Sequence, residues 1–262
     1  MKKLFANLVC AFVPGKAARR RLRYALTGGF KKEAENNNIL TIVDERGARH
    51  EFPITGRLMW DRRYKKISTG FDLNINATPG AKNNLISIEL PTHGTINVNF
   101  FRGGCGNKIS IGKNCRITYH LSIHHSGNNN DLRVGNNLHA ESMTVSSMGN
   151  KIAIGNDVLV ANAELLCDGH AVTDAQTGEC VNLPDGKRLT VGDHVWLGRD
   201  AILTANAKIP NNCIVPARAV VTKEFAEENC LIAGNPATVR KRGINWDMRC
   251  PGDYAKEFKN RG

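Results

Sequence analysis

From Val191 onward, the aliphatic and small positions of the chain recur every six residues. The segments read VGDHVW, LGRDAI, LTANAK, IPNNCI and VPARAV, followed by VTK. Their first positions, Val191, Leu197, Leu203, Ile209, Val215 and Val221, are all aliphatic. Their fifth positions, Val195, Ala201, Ala207, Cys213 and Ala219, are nearly all small. A period of six matches neither the helical period of about 3.6 nor the strand period of 2. It matches a short strand plus a corner, three of which close a triangular coil of 18 residues. The aliphatic side chain fills the interior and the small one lets the corner close.

The same register continues upstream. IGKNCR and ITYHLS start at Ile111, VGNNLH at Val134, and IGNDVL and VANAEL at Ile154. The phrases GNKISIG at 106–112, NDLRVG at 130–135 and GNKIAIG at 149–155 mark equivalent points on successive coils. Ile111 to Val134 is 23 residues, Val134 to Ile154 is 20, and Ile154 to Val191 is 37. The last interval is one coil plus 19 residues, an excursion over about 169–187. A long loop thrown from a rigid solenoid is where function is sought. Farther upstream, NNLISI at 83–88 and TINVNF at 95–100 read as irregular first coils, and residues 39–58 as a separate small hairpin with Gly47 in its turn. The expected organisation is an N-terminal segment over 1–80, a solenoid over 81–232 and a tail over 233–262.

Composition fits this picture. The chain has 262 residues, 41% hydrophobic and 6% aromatic, with 28 Asn and 25 Gly suited to left-handed corners. No run of 18 apolar residues occurs, which excludes a membrane-spanning helix by sequence. Of the net charge of +12, nine positive charges precede the first acid, Glu33. The excess therefore sits in one terminal segment, and a nucleic-acid-binding body is not expected.

That segment opens with Lys2 and Lys3 and an apolar stretch from Leu4 to Val13, but Pro14, Gly15, Lys16 and an arginine cluster follow instead of a small-residue cleavage site. Phe5, Leu8, Val9 and Phe12 recur at helical spacing. Residues 1–32 read either as an amphipathic helix and polybasic patch suited to an anionic membrane face, or as a helix docked on the protein itself. Eight cysteines form no CxxC pair and no zinc-ribbon spacing; reduced thiols in the cytoplasm are the simplest account.

These hexads resemble the left-handed parallel β-helix of the hexapeptide-repeat acyltransferases. Within that superfamily, DGHAVTDAQTGECVN, VGDHVWLGRDAIL and VTKEFAEENCLIAGNPATVRKRGINW are most similar to the acetyl-CoA-dependent O-acetyltransferases of bacterial surface polysaccharides, and to galactoside acetyltransferase. The likeness is specific over about 150–246, loose over 83–149, and leaves residues 1–80 unexplained. It implies an all-β solenoid with a protruding catalytic loop, a homotrimer with acetyl-CoA bound between subunits, a saccharide acceptor and no required metal. By its motifs, His170 in CDGHAV takes the catalytic position and Trp196 the place beside the acetyl end of acetyl-CoA. Ala217 lies along the pantetheine arm, Thr222 and Lys223 near the far end, and Lys241 is the basic residue of the tail. Arg199 departs from the motif, which usually has a small residue there contacting CoA through its backbone.

The chemistry requires few parts. An alcohol near neutral pH is a weak nucleophile, so a base must take its proton as it attacks the thioester, and histidine suits that work. Asp168, two residues before His170, is placed to fix the imidazole tautomer, although Asp before Gly is also an ordinary turn. Lys223 and Lys241 suit CoA phosphates as charges. Other readings stay open: acetylation of an antibiotic or small sugar, N-acylation of a sugar nucleotide, a non-catalytic solenoid scaffold, and a zinc carbonic-anhydrase-like protein in which His120 and His125 supply an H-x4-H pair.

Overall fold

Short aliphatic strands alternate with Gly/Asn/Asp corners, and the chain winds them into a stack of parallel coils. The structure, a computed structural model, describes residues 36–54, 58–59, 64–68, 70–182 and 187–259. The basic segment 1–32 lies outside the described residues, as do positions 183–186 of the excursion.

One flat face stacks Ile39–Val43, Leu85–Glu89, Lys108–Ile111, Asp131–Val134, Lys151–Ile154, Arg188–Val191 and Lys208–Ile209 as parallel neighbours. The hydrogen-bonded register joins Ile111 to Val134, Val134 to Ile154, Ile154 to Val191 and Val191 to Ile209. These are the intervals read from the sequence. The other two faces are formed by long strands that bend at a second corner, Cys115–Ser126, His139–Met148 and Leu159–Cys167, and then by the shorter strands Trp196–Leu197 and Ala201–Thr204. All six first-position aliphatics from Val191 to Val221, and all five fifth-position residues, are buried. Each fully enclosed Val, Leu or Ile contributes about 1.5–3 kcal/mol relative to exposure, so the ladder itself is the main source of stability.

The corners explain the asparagine content. Asn114, Asn137, Asp157, His194 and Asn212 adopt left-handed backbone angles at the first corner of successive coils. Asn136 Oδ1 accepts from the Lys113 amide at 3.0 Å, Asn156 Oδ1 from Asn136 at 2.9 Å, and Asn211 Oδ1 from Asp193 at 2.8 Å. At the third corner a buried amide ladder climbs from Asn38 through Asn84, Asn107 and Asn130. Each side-chain oxygen accepts the next coil's backbone N–H at 2.9 Å. Such stacking replaces water as the partner of corner groups that a narrow solenoid encloses.

The segment around Gly47 does form a hairpin, Ile39–Val43 against Arg49–Pro53. It is not free-standing, because Ile39–Val43 pairs in parallel with Leu85–Glu89 and so begins the first face. At the other end, Cys230–Gly234 and Ala237–Arg242 close the stack as an antiparallel pair, and Pro251–Lys259 forms an exposed helix. No described helix is long and apolar enough to cross a membrane.

Candidate functional site

The excursion leaves the solenoid after Cys167 and rejoins it at Arg188. Both of its roots are tied to one dipeptide. The Asn150 side-chain amide donates to the Cys167 carbonyl, and the Lys151 amide donates to the Lys187 carbonyl at 3.0 Å. Asn150 thus ends the buried amide ladder where the loop begins; its own amide reaches Asn130 Oδ1 at 3.3 Å. The GNK phrase at 149–151 marks this point as equivalent on successive coils, but its link to the loop depends on packing.

Within the excursion, Thr173 and Cys180 form an antiparallel bridge, and Asp174 Oδ1 accepts the Gln176 and Thr177 amides, both at 2.8 Å. Those bonds hold the Asp174 carboxyl below its ordinary value. Asn182 donates to the His170 carbonyl at 2.8 Å and accepts from the Val172 amide at 2.7 Å, folding the arm back on its base. His170 is exposed, and so are Val172 and Val181, two aliphatic side chains at 56% and 64% exposure.

Asp168 is also exposed, and among the described residues no hydrogen bond joins it to the His170 ring. Its field acts on His124 instead: burial lowers that imidazole below its ordinary value and the Asp168 carboxylate opposes the shift. The neighbouring Cys167 thiol is buried and pushed up to about 12 by desolvation, with Asp168 adding to the effect.

The residues assigned to acetyl-CoA fall largely on a different side. Leu159, Trp196, Ile214, Leu231 and Lys241 form one outward cross-strand row on the second face. Three strand spacings separate Trp196 from Lys241, about 14 Å. From Trp196 onward the row is aromatic, then aliphatic, then cationic, a surface suited to a thioester arm that ends in phosphates. Arg199 and Ala217 sit beside it at the second corner, where the Arg199 carbonyl accepts the Arg218 amide at 2.9 Å and the Arg199 guanidinium pairs with Glu141 at 3.0 Å. An ideal Cβ on Gly198 would come within 2.6 Å of the Ala217 amide, so these two corners touch. Thr222 and Lys223 lie one face away, at the third corner, with the Lys223 ammonium 5.6 Å from the Phe225 ring centre.

Trp246, a tail residue with no periodic signal to mark it, joins this region. Its indole stacks on His194 with ring centres 4.3 Å apart, its Nε1 donates to the His194 carbonyl at 2.8 Å, and it lies 6.3 Å from Trp196. The tail after Lys241 is therefore held against the first corner beside Trp196.

One chain does not bring His170 and Trp196 together. His170 follows the end of the third face and Trp196 begins the second, so one face of the triangle, roughly 15 Å, lies between their corners. The two histidines of the H-x4-H spacing also diverge: His120 is exposed, whereas His125 is enclosed in the core. Among the described residues no group of three or more His, Cys, Asp or Glu side chains is arranged to hold a metal.

The structure of the polysialic-acid-specific acetyltransferase NeuO superposes with a TM-score of 0.60 at 22% identity, over 73% of this chain and 91% of that one. The chain shares the fold of that structure, a left-handed parallel β-helix. In sequence, this hexapeptide-repeat chain is 28% identical over 118 residues to a polysialic acid O-acetyltransferase of Escherichia coli O1:K1, covering 40% of this chain and 38% of that protein. It is 30% identical over 111 residues to the galactoside O-acetyltransferase of Escherichia coli K12, covering 41% of this chain and 51% of that protein. The hexapeptide-repeat chain thus spans about half or less of the length of these relatives. No family model matches it.

Proposed function

We propose that the protein is an acetyl-CoA-dependent O-acetyltransferase that acetylates a hydroxyl of a bacterial surface glycan or its sugar precursor, of capsule, lipopolysaccharide or sialic-acid type. The observation that carries this reading is the outward row from Trp196 through Ile214 and Leu231 to Lys241, combined with the long loop that exposes His170. The relatives named as O-acetyltransferases support the reaction class.

In the proposed reaction the His170 imidazole removes the acceptor hydroxyl proton as that oxygen bonds to the thioester carbonyl carbon. The tetrahedral intermediate then collapses, the carbon–sulfur bond breaks, and the imidazolium returns the proton to the departing thiolate, giving the acetyl ester and CoA. Asp168 is assigned to orient the imidazole. Trp196, Arg199 and Ala217 line the arm, and Thr222, Lys223 and Lys241 serve its phosphate end. The separation of His170 from Trp196 within one chain supports a homotrimer whose sites combine the loop of one subunit with the row of another. The proposed location is cytoplasmic, with residues 1–32 drawing the enzyme to the inner face of the membrane.

Mass spectrometry after incubation with acetyl-CoA and a panel of capsule, lipopolysaccharide and sialic-acid acceptors tests the reading. A mass gain of one acetyl group, released again by mild base, is expected on one acceptor class. Acetyl transfer to an amine alone contradicts it.

A further inference from the structure

The first face of the solenoid has a charge pattern that acetyl transfer does not use. Five successive coils each present one exposed cation on it: Lys108, Arg133, Lys151, Arg188 and Lys208. Lys108, Lys151 and Arg188 share the column that contains Asp131, while Arg133 and Lys208 lie in the next column, occupied elsewhere by Ser110, Ala153 and Thr190. Four strand spacings separate the first cation from the last, about 19 Å.

Glu89 and Glu51 lie on the same sheet beyond the five cationic coils, and two acids lie among those coils. Asp131 is bound to Arg133 at 2.9 Å, and Glu224 lies in register beside Lys208 on the next turn. Among the described residues Lys108, Lys151, Arg188 and Lys208 have no ion-pair partner. The surface is a flat parallel sheet, not a cleft. Its cations are spread over two columns, so it matches a plane of negative charge better than a single threaded chain.

The described chain begins beside the same face. Residue 36 enters at the edge of this face, where the Asn83 amide donates to the Asn36 carbonyl at 2.7 Å. The 35 residues before it include nine of the chain's Lys and Arg.

We infer that this face of the folded β-helix is itself a docking surface for an anionic lipid bilayer, acting alongside the N-terminal segment. The inference extends the location proposed above and is independent of the acetyl-transfer reading. Each basic residue near such a surface strengthens binding roughly fivefold, so three contribute on the order of 100-fold.

The test uses the full chain and vesicles of phosphatidylcholine with or without phosphatidylglycerol, read by co-sedimentation at low and high salt. The variant carries Lys108→Gln, Lys151→Gln and Arg188→Gln. A charge-matched control carries Arg116→Gln, Lys256→Gln and Lys259→Gln. The expected result is salt-sensitive binding to the anionic vesicles that falls on the order of 100-fold in the face variant and far less in the control. Light scattering accompanies it and should show the same oligomer for both. Equal vesicle binding by variant and control overturns the inference. So does a changed oligomeric state, which marks the face as a subunit contact. A variant that loses affinity for an anionic polysaccharide such as polygalacturonate, while keeping its vesicle binding, overturns it as well. Acetyl-CoA titration of the same samples separates this outcome from failure of the acetyl-transfer reading.

Discussion

His125 lies wholly inside the solenoid between Phe100 and Ser147, and neither ring nitrogen has a partner among the described residues. Burial lowers its imidazole to about 4, because a charged ring there would lose hydration that nothing replaces. The unfolded chain binds this proton from about 6.5, so it takes up more protons than the folded chain across that interval. Stability is therefore complete above about pH 6.5 and declines toward about pH 4, by roughly 3 kcal/mol from this residue alone. Urea unfolding across that range should show the decline in the native sequence and a flatter profile in His125→Leu. A His125→Leu profile as steep as the native one would place the effect elsewhere. The hexad register carries the outward position of His120, but the inward turn of His125 emerges only once the extra residues around Tyr119 are placed at a corner.

At the scale of the element, what the sequence made legible is what one coil repeats. The hexads from Val191 and the spacings of 23, 20, 37 and 18 residues became the observed register, because interior aliphatics and tight corners repeat at every turn. Contacts between distant parts leave no periodic trace. The stacking of Trp246 on His194, and the hold of Asn150 on the loop root, are of this kind. Close stacking of the first corner has its own consequence. A Cβ on Gly155 would lie 2.4 Å from Asp193 Oδ1 and 2.6 Å from the Gly192 backbone, whereas Gly169 has nothing within 4 Å. Gly155→Ala should destabilise the protein by about 1–3 kcal/mol, the usual range for overpacking, and Gly169→Ala should leave unfolding by urea unchanged. Equal effects of the two would mean that the corners are not tightly stacked in solution.

For the whole molecule, the proposed site depends on assembly. A single chain exposes His170 at one corner and the Trp196 row beyond another, and it leaves Val172 and Val181 of the excursion uncovered. Light scattering at micromolar concentration should give three times the mass of 28.8 kDa; a monomer at all concentrations would remove the intersubunit site. The division of labour between loop and row then separates chemistry from binding. His170→Ala should lower turnover by about 100- to 10,000-fold, the usual contribution of a general base, with CoA affinity unchanged in a calorimetric titration. Lys241→Ala should instead raise the Michaelis constant for acetyl-CoA several-fold and spare turnover. The most direct measurement is therefore the paired rate and CoA titration of His170→Ala. Lost turnover with intact CoA binding is the predicted result, and near-normal turnover would contradict the proposed mechanism.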